Sequence, residues 1–292
     1  MESKKEIYDL IPPEYYPKTI LINGDTNKEV IMVAVTSAAL SFPLIGKPDI
    51  GMRGLSVKKL ENNNDVLEYA QSSKVDFLLQ EFIPFEEEVG IFYYRYPHEA
   101  NGHISGIVGK EFLTVTGDGV STIEILLSKD KRFILQLPTL QKAYGETLQQ
   151  VLKAGEHFLL VPYGNHARGA KFIDLSHLID EHLTQTIDQV CKKIPGFYFG
   201  RMDVRYNTWQ ELKEGKKFGI VELNGAGSEP THIYDPKHSI FFAWKEIIRH
   251  WVILWKISRI NHRTQNLPYM GFTAGMQMFK ENSAYVKLIS SE

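Results

Sequence analysis

The chain has 292 residues, of which 43% are hydrophobic and 23% are charged, and its formal net charge is −2 at pH 7. This length allows one large domain or two smaller ones with a substantial core, and the composition excludes a disordered chain. The small net charge gives no general attraction to nucleic acid. The single cysteine, Cys191, excludes an internal disulfide, and residues 1–17 lack the apolar stretch of a signal peptide, so we expect a cytoplasmic protein.

The first part of the sequence predicts an N-terminal arm and a series of short strands. Residues 1–17 form an irregular or partly helical arm, and TILING follows as a strand. EVIMVAVTSA fits either a strand or the start of a helix, because its periodicity does not decide between them. The next segments predict strand, glycine loop and strand (FPLIGKPDIGMRGLSVKKL), a helix (NNDVLEYAQSS), two apolar strands (VDFLLQEFI and EEVGIFYYRY) and the continuation of a hairpin (GHISGIVGKEFL).

The second part of the sequence mixes helices and strands. TGDGVSTIEILLS predicts a turn that leads into a helix, with Ser121 and Glu124 spaced as a capping box. The following segments predict a helix (LPTLQKAYGETLQQVLKAG), a strand (FLLVPYG), an amphipathic helix (LIDEHLTQTIDQVCKKI) and two strands (FYFGRMDVRY and FGIVELNGAG) joined by a polar hairpin connection (NTWQELKEGKK). Because no regular βαβ alternation is present, the sequence predicts an α+β fold with antiparallel sheets.

The residues from Ser239 onward are mainly helical in pattern, and they include the most apolar late segment, IFFAWKEIIRHWVILWKI. Its charged and titratable side chains are too frequent for a membrane span. We expect a helix with a broad buried face, and a position at a membrane surface is the alternative.

Polar residues alternate along the two late strands. In FYFGRMDVRY one face carries Arg201, Asp203 and Arg205, because successive strand side chains point to opposite faces. In FGIVELNGAG one face carries Glu222 and Asn224. If the strands pair, two carboxylates, an amide and a guanidinium meet, and such oxygen ligands suit Mg²⁺. The alternative is a salt-bridged hairpin that faces solvent.

A glycine loop follows an apolar strand in FPLIGKPDIGMRG. Lys47 ends the strand, and the loop holds Gly51, Arg53 and Gly54. Glycines let backbone N–H groups approach phosphate oxygens, and a lysine supplies a charge beside them. The segment matches neither GxxxxGK[ST] nor GxGxxG, and an ordinary loop between strands is the alternative.

Two further segments carry clustered polar residues. In LLQEFIPFEEEVGIF, Glu81 closes an apolar strand and an acidic cluster (residues 86–88) precedes the next one. Backbone groups here can pair with a purine and a carboxylate can hold ribose hydroxyls, or the cluster is a solvated turn. VPYGNHARGAKF is a polar loop, and a solvated surface loop is again the alternative. The ten histidines form no HxxxH pattern and there is no CxxC, which argues against zinc.

Taken in order, these segments resemble the ATP-grasp family, above all the D-alanine–D-alanine ligases and the cyanophycin-synthetase-like and glutathione-synthetase-like ligases. GRMDVR…VELNGAGSEPTH is similar to the family's GRxDV…xExNxxPG segment, FPLIGKPDIGMRG to FPxxVKPxxGxxG, and TGDGVSTIEIL to GDGxSTIxEL of the cyanophycin-type members. The resemblance runs from about Pro17 to about Pro236. It implies two α+β subdomains with antiparallel sheets that clasp ATP, and we expect the divisions 1–17 (arm), 18–85 (small subdomain), 86–238 (large subdomain) and 239–292 (C-terminal helical segment).

The resemblance implies a role for each matching residue at the nucleotide. Lys47 contacts the α-phosphate and adenine side of ATP, and the loop that contains Gly51, Arg53 and Gly54 folds over the β- and γ-phosphates. Glu81, Phe82 and Ile83 form the adenine hinge. Glu88 holds the ribose.

The resemblance also implies roles at the reacting groups. One or two Mg²⁺ ions are bound by Asp203, Glu222 and Asn224. Arg201 steadies the charge on the transferred groups and Lys110, a looser match, faces the phosphates. The substrate-binding residues are Arg168, Asn165 and His232.

The implied activity is a Mg-ATP-dependent ligase that joins a carboxylate to an amine through an acyl phosphate and releases ADP and phosphate. The alternatives are a kinase of the same fold that phosphorylates a small molecule or a protein, and a non-catalytic ATP-binding module that serves a partner protein. Only 46 residues precede Lys47, which leaves no room for the family's usual N-terminal domain; a homodimer or a partner protein would then supply it. A second ATP-facing lysine has three candidates, Lys4, Lys5 and Lys18, and Gly-Ala-Gly-Ser replaces the usual Pro-Gly after Asn224.

Overall fold

The computed structural model describes residues 2–51, 56–161 and 169–290. Every strand pairing in these residues is antiparallel, and helices and strands alternate irregularly, which confirms the predicted α+β class with antiparallel sheets.

A four-stranded sheet forms the first layer of the fold, with the strand order β1-β4-β2-β3. Its strands are β1 (Thr19–Ile22), β2 (Leu44–Pro48), β3 (Lys58–Leu60) and β4 (Phe77–Glu81). Helices α2 (Lys28–Ser37) and α3 (Asn63–Ser72) bury their apolar residues against one face. EVIMVAVTSA is therefore helical: the Asn27 side chain accepts a hydrogen bond from the N–H of Val30 and caps the helix.

A five-stranded sheet forms the second layer, with the strand order β11-β10-β5-β6-β9. Its strands are β5 (Glu87–Tyr94), β6 (His103–Glu111), β9 (Lys171–Asp174), β10 (Phe199–Tyr206) and β11 (Phe218–Asn224). Helix α7 (Glu181–Lys192) packs Leu183 and Ile187 into one core with Met202 and Val204. Since strand side chains alternate, the same packing directs Asp203 to the opposite face.

Between β6 and β9 the chain forms a small unit with its own apolar cluster. It contains the two-stranded sheet of β7 (Leu113–Thr116) and β8 (His157–Val161) and the helices α4 (Ile123–Ser128), α5 (Lys131–Ile134) and α6 (Leu137–Tyr144).

Two predictions for this unit are wrong. The α4 cap is Thr122, whose hydroxyl accepts from the N–H of Ile125, while Ser121 bonds to Asp118. The long helix LPTLQKAYGETLQQVLKAG ends at Tyr144, because Gly145 adopts a φ of +48° and a 3₁₀ turn follows.

The ends of the chain and the β10–β11 connection are helical. Helix α1 (Lys4–Leu10) and a 3₁₀ turn (Pro13–Tyr15) make the arm partly helical, as predicted. The hairpin connection contains a short helix, α8 (Trp209–Lys213), instead of a simple turn, because Thr208 caps it. At the C-terminal end α9 (Ile240–Gln265) is followed by α10 (Phe272–Ser290). Among the described residues no helix has both the length and the hydropathy required to cross a membrane.

Candidate active site

The two late strands pair as predicted and bring their polar faces together. Asp203 lies opposite Glu222, and Arg201 lies opposite Asn224. The register then shifts, since Val204 pairs with Ile220, and this leaves Val221 as an extra residue in β11. A bulge of this kind interrupts the ladder locally and re-aims neighbouring side chains.

Asp203 is the centre of a buried ion-pair network on the face of the five-stranded sheet opposite to α7. Its carboxylate lies 3.0 Å from Arg201 Nε and 3.2 Å from Lys110 Nζ. Lys110 Nζ also lies 2.7 Å from Glu88 Oε1, and the other oxygen of Glu88 lies 3.3 Å from Arg205 Nε. The predicted alternative of a salt-bridged hairpin is thus correct about the ion pairs, but the Asp203 side chain is only 5% exposed and does not face solvent.

The side chains of this ion-pair network have room because the neighbouring strand β5 has a glycine opposite Asp203. Gly90 of β5 lies opposite Asp203 of β10. A Cβ at Gly90 would lie 2.9 Å from Asp203 Oδ1 and 3.2 Å from Arg201 Cδ. The glycine therefore leaves the space that the aspartate and arginine side chains occupy.

The charges of the network keep each other ionised. Burial opposes the charged form of Asp203, but Arg201 and Lys110 outweigh it and hold the pKa of this carboxyl below its ordinary value. Burial likewise disfavours the charged form of Lys110, and the two carboxylates beside it raise its pKa above its ordinary value.

Lys47 lies on the four-stranded sheet and is linked to the five-stranded sheet by a single phenol. Its Nζ donates to Tyr8 Oη over 2.7 Å and to Gln80 Oε1 over 2.8 Å. The hydroxyl of Tyr8 in turn donates to the carbonyl of the bulged Val221. Lys47 is 7% exposed, and burial lowers its pKa to about 8 although Glu222 and Asp49 act in the opposite direction.

Lys4 is the one of the three candidate lysines that lies beside this cluster. Its Nζ donates to the carbonyl of Gly51 over 2.8 Å and lies 3.4 Å from the carbonyl of Asp49. Burial lowers the pKa of Lys4, and the negative charge of Glu222 partly offsets this effect. Lys18, by contrast, donates to the carbonyl of Ala39 at an exposed position.

Glu222 and Asn224 have polar atoms without protein partners. Asn224 Nδ2 is buried and has no hydrogen bond, and the carboxylate of Glu222 has no hydrogen bond or ion pair among the described residues. The field of Glu222 nevertheless acts on Lys4, Lys47 and Arg201. Buried polar groups are almost always partnered, so Nδ2 of Asn224 marks a place where water or a ligand can bond, and the half-buried carboxylate of Glu222 lies on the same face of β11.

The residues predicted for the adenine hinge already use part of their hydrogen-bonding capacity. The N–H of Glu81 donates to the carbonyl of Lys18 over 2.9 Å, and the N–H of Phe82 donates to the carbonyl of Pro43 over 3.2 Å. The carbonyl of Ile83 lies 3.5 Å from Arg205 Nη1. The hinge stays a prediction, as does the ribose role of Glu88, whose carboxylate is held in the ion-pair network.

His232 lies on the part of the sheet that α9 covers. Its ring packs over Gly106, where a Cβ would lie 2.3 Å from it, and its Nε2 lies 3.2 Å from Glu246 of α9. Burial lowers its pKa. Four other predicted site residues, Arg53, Gly54, Asn165 and Arg168, lie outside the described residues.

A cavity of about 650 Å³ opens beside the network. Its walls include acidic and basic side chains in or next to the strands of the five-stranded sheet: Glu86, Glu87, Lys110, Glu111 and Lys171. Cavities of this volume accommodate ligands the size of a drug molecule. Lys110 lines the cavity and also contacts Asp203, so it connects the cavity with the hairpin.

Sequence reasoning missed two residues of the cluster, Tyr8 and Gln80, whereas Lys4 was among the three candidate lysines. Gln80 had a visible signal, because it is a polar residue inside the apolar strand VDFLLQEFI. Tyr8 had none, since its partner Val221 is 213 residues away.

The oxygen donors of the hairpin form a small set. The described residues hold no group of three or more His, Cys, Asp or Glu side chains that could bind a metal ion. The hairpin itself offers the carboxylate oxygens of Asp203 and Glu222 and the amide oxygen of Asn224. The buried atom of Asn224 that lacks a partner is the amide nitrogen Nδ2, which is a hydrogen-bond donor and not a metal ligand.

Comparison with known proteins gives distant structural similarities. No family model matches the sequence, and no curated protein matches it. The solved structures that are similar include a bifunctional glutathione synthetase from Pasteurella multocida (16% identity, 79% of this chain and 32% of that chain covered, TM-score 0.43). They also include a D-Ala:D-Ser ligase from Enterococcus faecalis (16% identity, 85% of this chain and 61% of that chain covered, TM-score 0.46). A third is the ATP-grasp ligase PsnB, in complex with a precursor variant, Mg and ADP (12% identity, 87% of this chain and 58% of that chain covered, TM-score 0.45). The chain thus spans between one third and about three fifths of the length of these chains.

Proposed function

We propose that the chain is a Mg-ATP-dependent ligase that joins a carboxylate to an amine through an acyl phosphate and releases ADP and phosphate. The observation that carries the proposal is the pair Glu222 and Asn224, which lies opposite Asp203 and Arg201 on one side and within the field of Lys47 on the other. A polyphosphate needs several cations, and its divalent ion needs hard oxygen ligands.

The lysines of the cluster would bind the phosphates. Lys47 and Lys110 are nearly fully buried, and charged hydrogen bonds in such a low-dielectric setting are stronger than in water. Lys47 now shares its protons between Tyr8 and Gln80, two neutral acceptors. A phosphate oxygen is a stronger acceptor than either of them, so the exchange of partners favours the nucleotide.

The hairpin would hold the magnesium ion through Asp203, Glu222 and Asn224. These residues fit the ion, because Mg²⁺ usually takes one or two carboxylates and completes its shell with phosphates and water. When bound, the ion neutralises negative charge on the transferred phosphoryl group. Arg201 is held 3.0 Å from Asp203 and places its guanidinium next to the same region, where it would stabilise charge on the reacting carboxylate.

Such a reaction needs no nucleophilic side chain from the protein. The substrate carboxylate attacks the terminal phosphate, and an amine then displaces phosphate from the acyl phosphate, so positioning and charge supply the catalysis. Cys191 is consistent with this, since it is fully buried in the core with α7 and burial raises the pKa of its thiol well above the ordinary value.

The decisive experiment measures products. Purified protein with Mg-ATP and a panel of amino acids and hydroxy acids should release ADP only when both a carboxylate and an amine are present, and hydroxylamine should trap the acyl phosphate as a hydroxamate. AMP and pyrophosphate as products would refute the proposal. A phosphorylated product that survives hydroxylamine would assign a kinase instead.

A binding experiment tests the metal site separately. Glu222→Gln should abolish magnesium-dependent binding of a non-hydrolysable ATP analogue in calorimetry and leave the stability of the ligand-free protein nearly unchanged, because this carboxylate has no protein partner among the described residues. Glu146→Gln, at an exposed position, is the matched control. A large loss of ligand-free stability in Glu222→Gln would mean that Glu222 is structural.

A further inference from the structure

Helix α9 is apolar on two opposite faces. Ile253 and Ile257 are buried against Phe92 and Phe199 of the five-stranded sheet. The opposite face carries five exposed side chains, which we call the outer stripe: Phe241 (73% exposed), Trp244 (55%), Ile248 (62%), Trp251 (73%) and Trp255 (55%). A surface helix of a globular protein has one apolar stripe, so the second one needs a partner.

The outer stripe is continuous and large. Its members follow each other at intervals of three and four residues, which places them in one row along about 20 Å of helix. An aromatic side chain presents about 150–250 Å² when fully exposed, so the four aromatic members together leave on the order of 400 Å² in contact with water. Patches of this size on a folded protein mark interaction sites.

The charges next to the stripe are all positive. The helix has five Lys and Arg residues and one acid, Glu246, which is buried and bonded to Arg249. At 100° per residue, Lys245, Lys256 and Arg263 project on the same side of the stripe, within about 80° of Ile248. A chain whose net charge is −2 therefore exposes a purely cationic edge along this helix.

We propose that the outer stripe docks α9 at the surface of an anionic lipid bilayer, with the helix parallel to the membrane plane. Tryptophan is the residue that prefers the headgroup region, and lysine and arginine beside it bind anionic headgroups. A second copy of the chain fits less well, because two-fold pairing of the stripes would bring the cationic edges together without an acid to pair them.

The linker and α10 continue the same chemistry. Met270 is 66% exposed, and in α10 Phe272 and Phe279 are 84% and 71% exposed. Lys280 and Lys287 lie in α10 as well, with one acid, Glu281. The apolar and cationic surface is thus not confined to α9.

The test is flotation of the full chain with vesicles of phosphatidylcholine alone and with vesicles that also contain phosphatidylserine. The protein should float with the anionic vesicles, less so at high salt. Its tryptophan emission should shift to shorter wavelengths, since three of its four tryptophans lie on the outer stripe.

Two variants separate the apolar and the electrostatic contributions. Trp244→Gln with Trp251→Gln should lower partitioning at least about tenfold on both kinds of vesicle. Lys245→Glu with Lys256→Glu should lower partitioning about tenfold or more on the anionic vesicles and leave partitioning on phosphatidylcholine vesicles unchanged. Each cation near an anionic surface contributes about fivefold to the partition constant. Val33→Gln with Val120→Gln, which changes two exposed apolar residues elsewhere, is the control and should bind as the parent does.

Two outcomes overturn the proposal. The parent protein could stay unbound with anionic vesicles, or it could form a dimer in solution that the tryptophan variant dissociates, in which case the stripe is a protein interface. All variants should have the same midpoint of urea unfolding as the parent protein, because the changed side chains are exposed.

Discussion

Lys47 is a buried cation whose removal should change how stability depends on pH. We consider Lys47→Met, which keeps the length and the apolar stem of the side chain and removes the ammonium group. In the folded protein burial lowers the pKa of Lys47 to about 8, from an ordinary value of 10.5. Between these two pH values the unfolded chain holds a proton on this side chain that the folded protein has released, so stability rises with pH across this window.

The size of the effect follows from the two pKa values. At 1.36 kcal/mol for each pKa unit, the folded protein carries a cost of about 3 kcal/mol below pH 8 for keeping this lysine charged, and the cost is relieved as the pH approaches 10.5. Lys47→Met has no such cost at any pH. The loss of the hydrogen bonds to Tyr8 and Gln80 shifts its stability by an amount that depends little on pH, so the pH slope is the diagnostic quantity.

The assay is urea unfolding of both proteins at a series of pH values from 7 to 10. The free energy of unfolding of the parent, minus that of Lys47→Met, should increase by about 2–3 kcal/mol over this range. Lys58→Met, on the neighbouring strand and exposed, is the control, and its difference from the parent should stay flat. Parallel curves for the parent and Lys47→Met would refute the argument that the charged form of Lys47 is buried at a cost in stability.

Three further predictions test other parts of the site and its surroundings. Gly90→Ala should lower the free energy of unfolding by about 1–3 kcal/mol in urea, because the new Cβ meets Asp203, Arg201 and Val108; Gly225→Ala, which meets nothing within 4 Å, is the control, and equal stability of the two would contradict the packing argument. Tyr8→Phe should cost about 1–3 kcal/mol in the same assay, since it leaves the carbonyl of Val221 without its donor, whereas Tyr15→Phe removes an exposed hydroxyl and should cost little; a neutral Tyr8→Phe would mean that the phenol does not link the sheets. Burial lowers the pKa of His250 to about 4 from 6.5, so the unfolded chain takes up a proton before the folded protein does, and the protein should lose stability as the pH falls from 6.5 towards 4. His250→Gln should remove the part of this acid sensitivity that comes from His250 and leave the part that comes from His232, whose pKa burial also lowers; an unchanged acid transition would contradict the assignment.

The hairpin of the candidate site was predictable because the polar and apolar pattern that specifies it lies within two strands that follow each other in the sequence. Alternation along FYFGRMDVRY and FGIVELNGAG assigns each polar residue to a face, and an apolar set of the opposite parity, Met202 and Val204, fixes which face is buried against α7. The pairing of Asp203 with Glu222 then follows from a single connection. The bulge at Val221 has no such local signal, since it depends on which carbonyl Tyr8 reaches.

The errors in the helices have a similar explanation. An N-cap at Ser121 and one at Thr122 differ by a single residue, and the hydrogen bonds that Ser121 donates to the carboxylate of Asp118 decide in favour of Thr122. The periodic pattern of LPTLQKAYGETLQQVLKAG continues through Gly145, but its positive φ ends the helix there. Local propensity is a weak guide where one residue decides the backbone path.

The contribution of the arm could not be predicted, because it is a contact between distant parts of the chain. Tyr8 belongs to the core cluster of the five-stranded sheet, and its hydroxyl is bonded to Lys47 of the other sheet. Neither the composition of residues 1–17 nor their spacing indicates either partner.

The phenol of Tyr8 makes the arm a reporter of what happens at Lys47. An anion that accepts a hydrogen bond from Lys47 in place of the phenol removes one of the hydrogen bonds that hold α1 against the sheet. Occupancy of the cleft should therefore be readable at a distance, as faster amide exchange or easier proteolytic cleavage in the first residues of the chain.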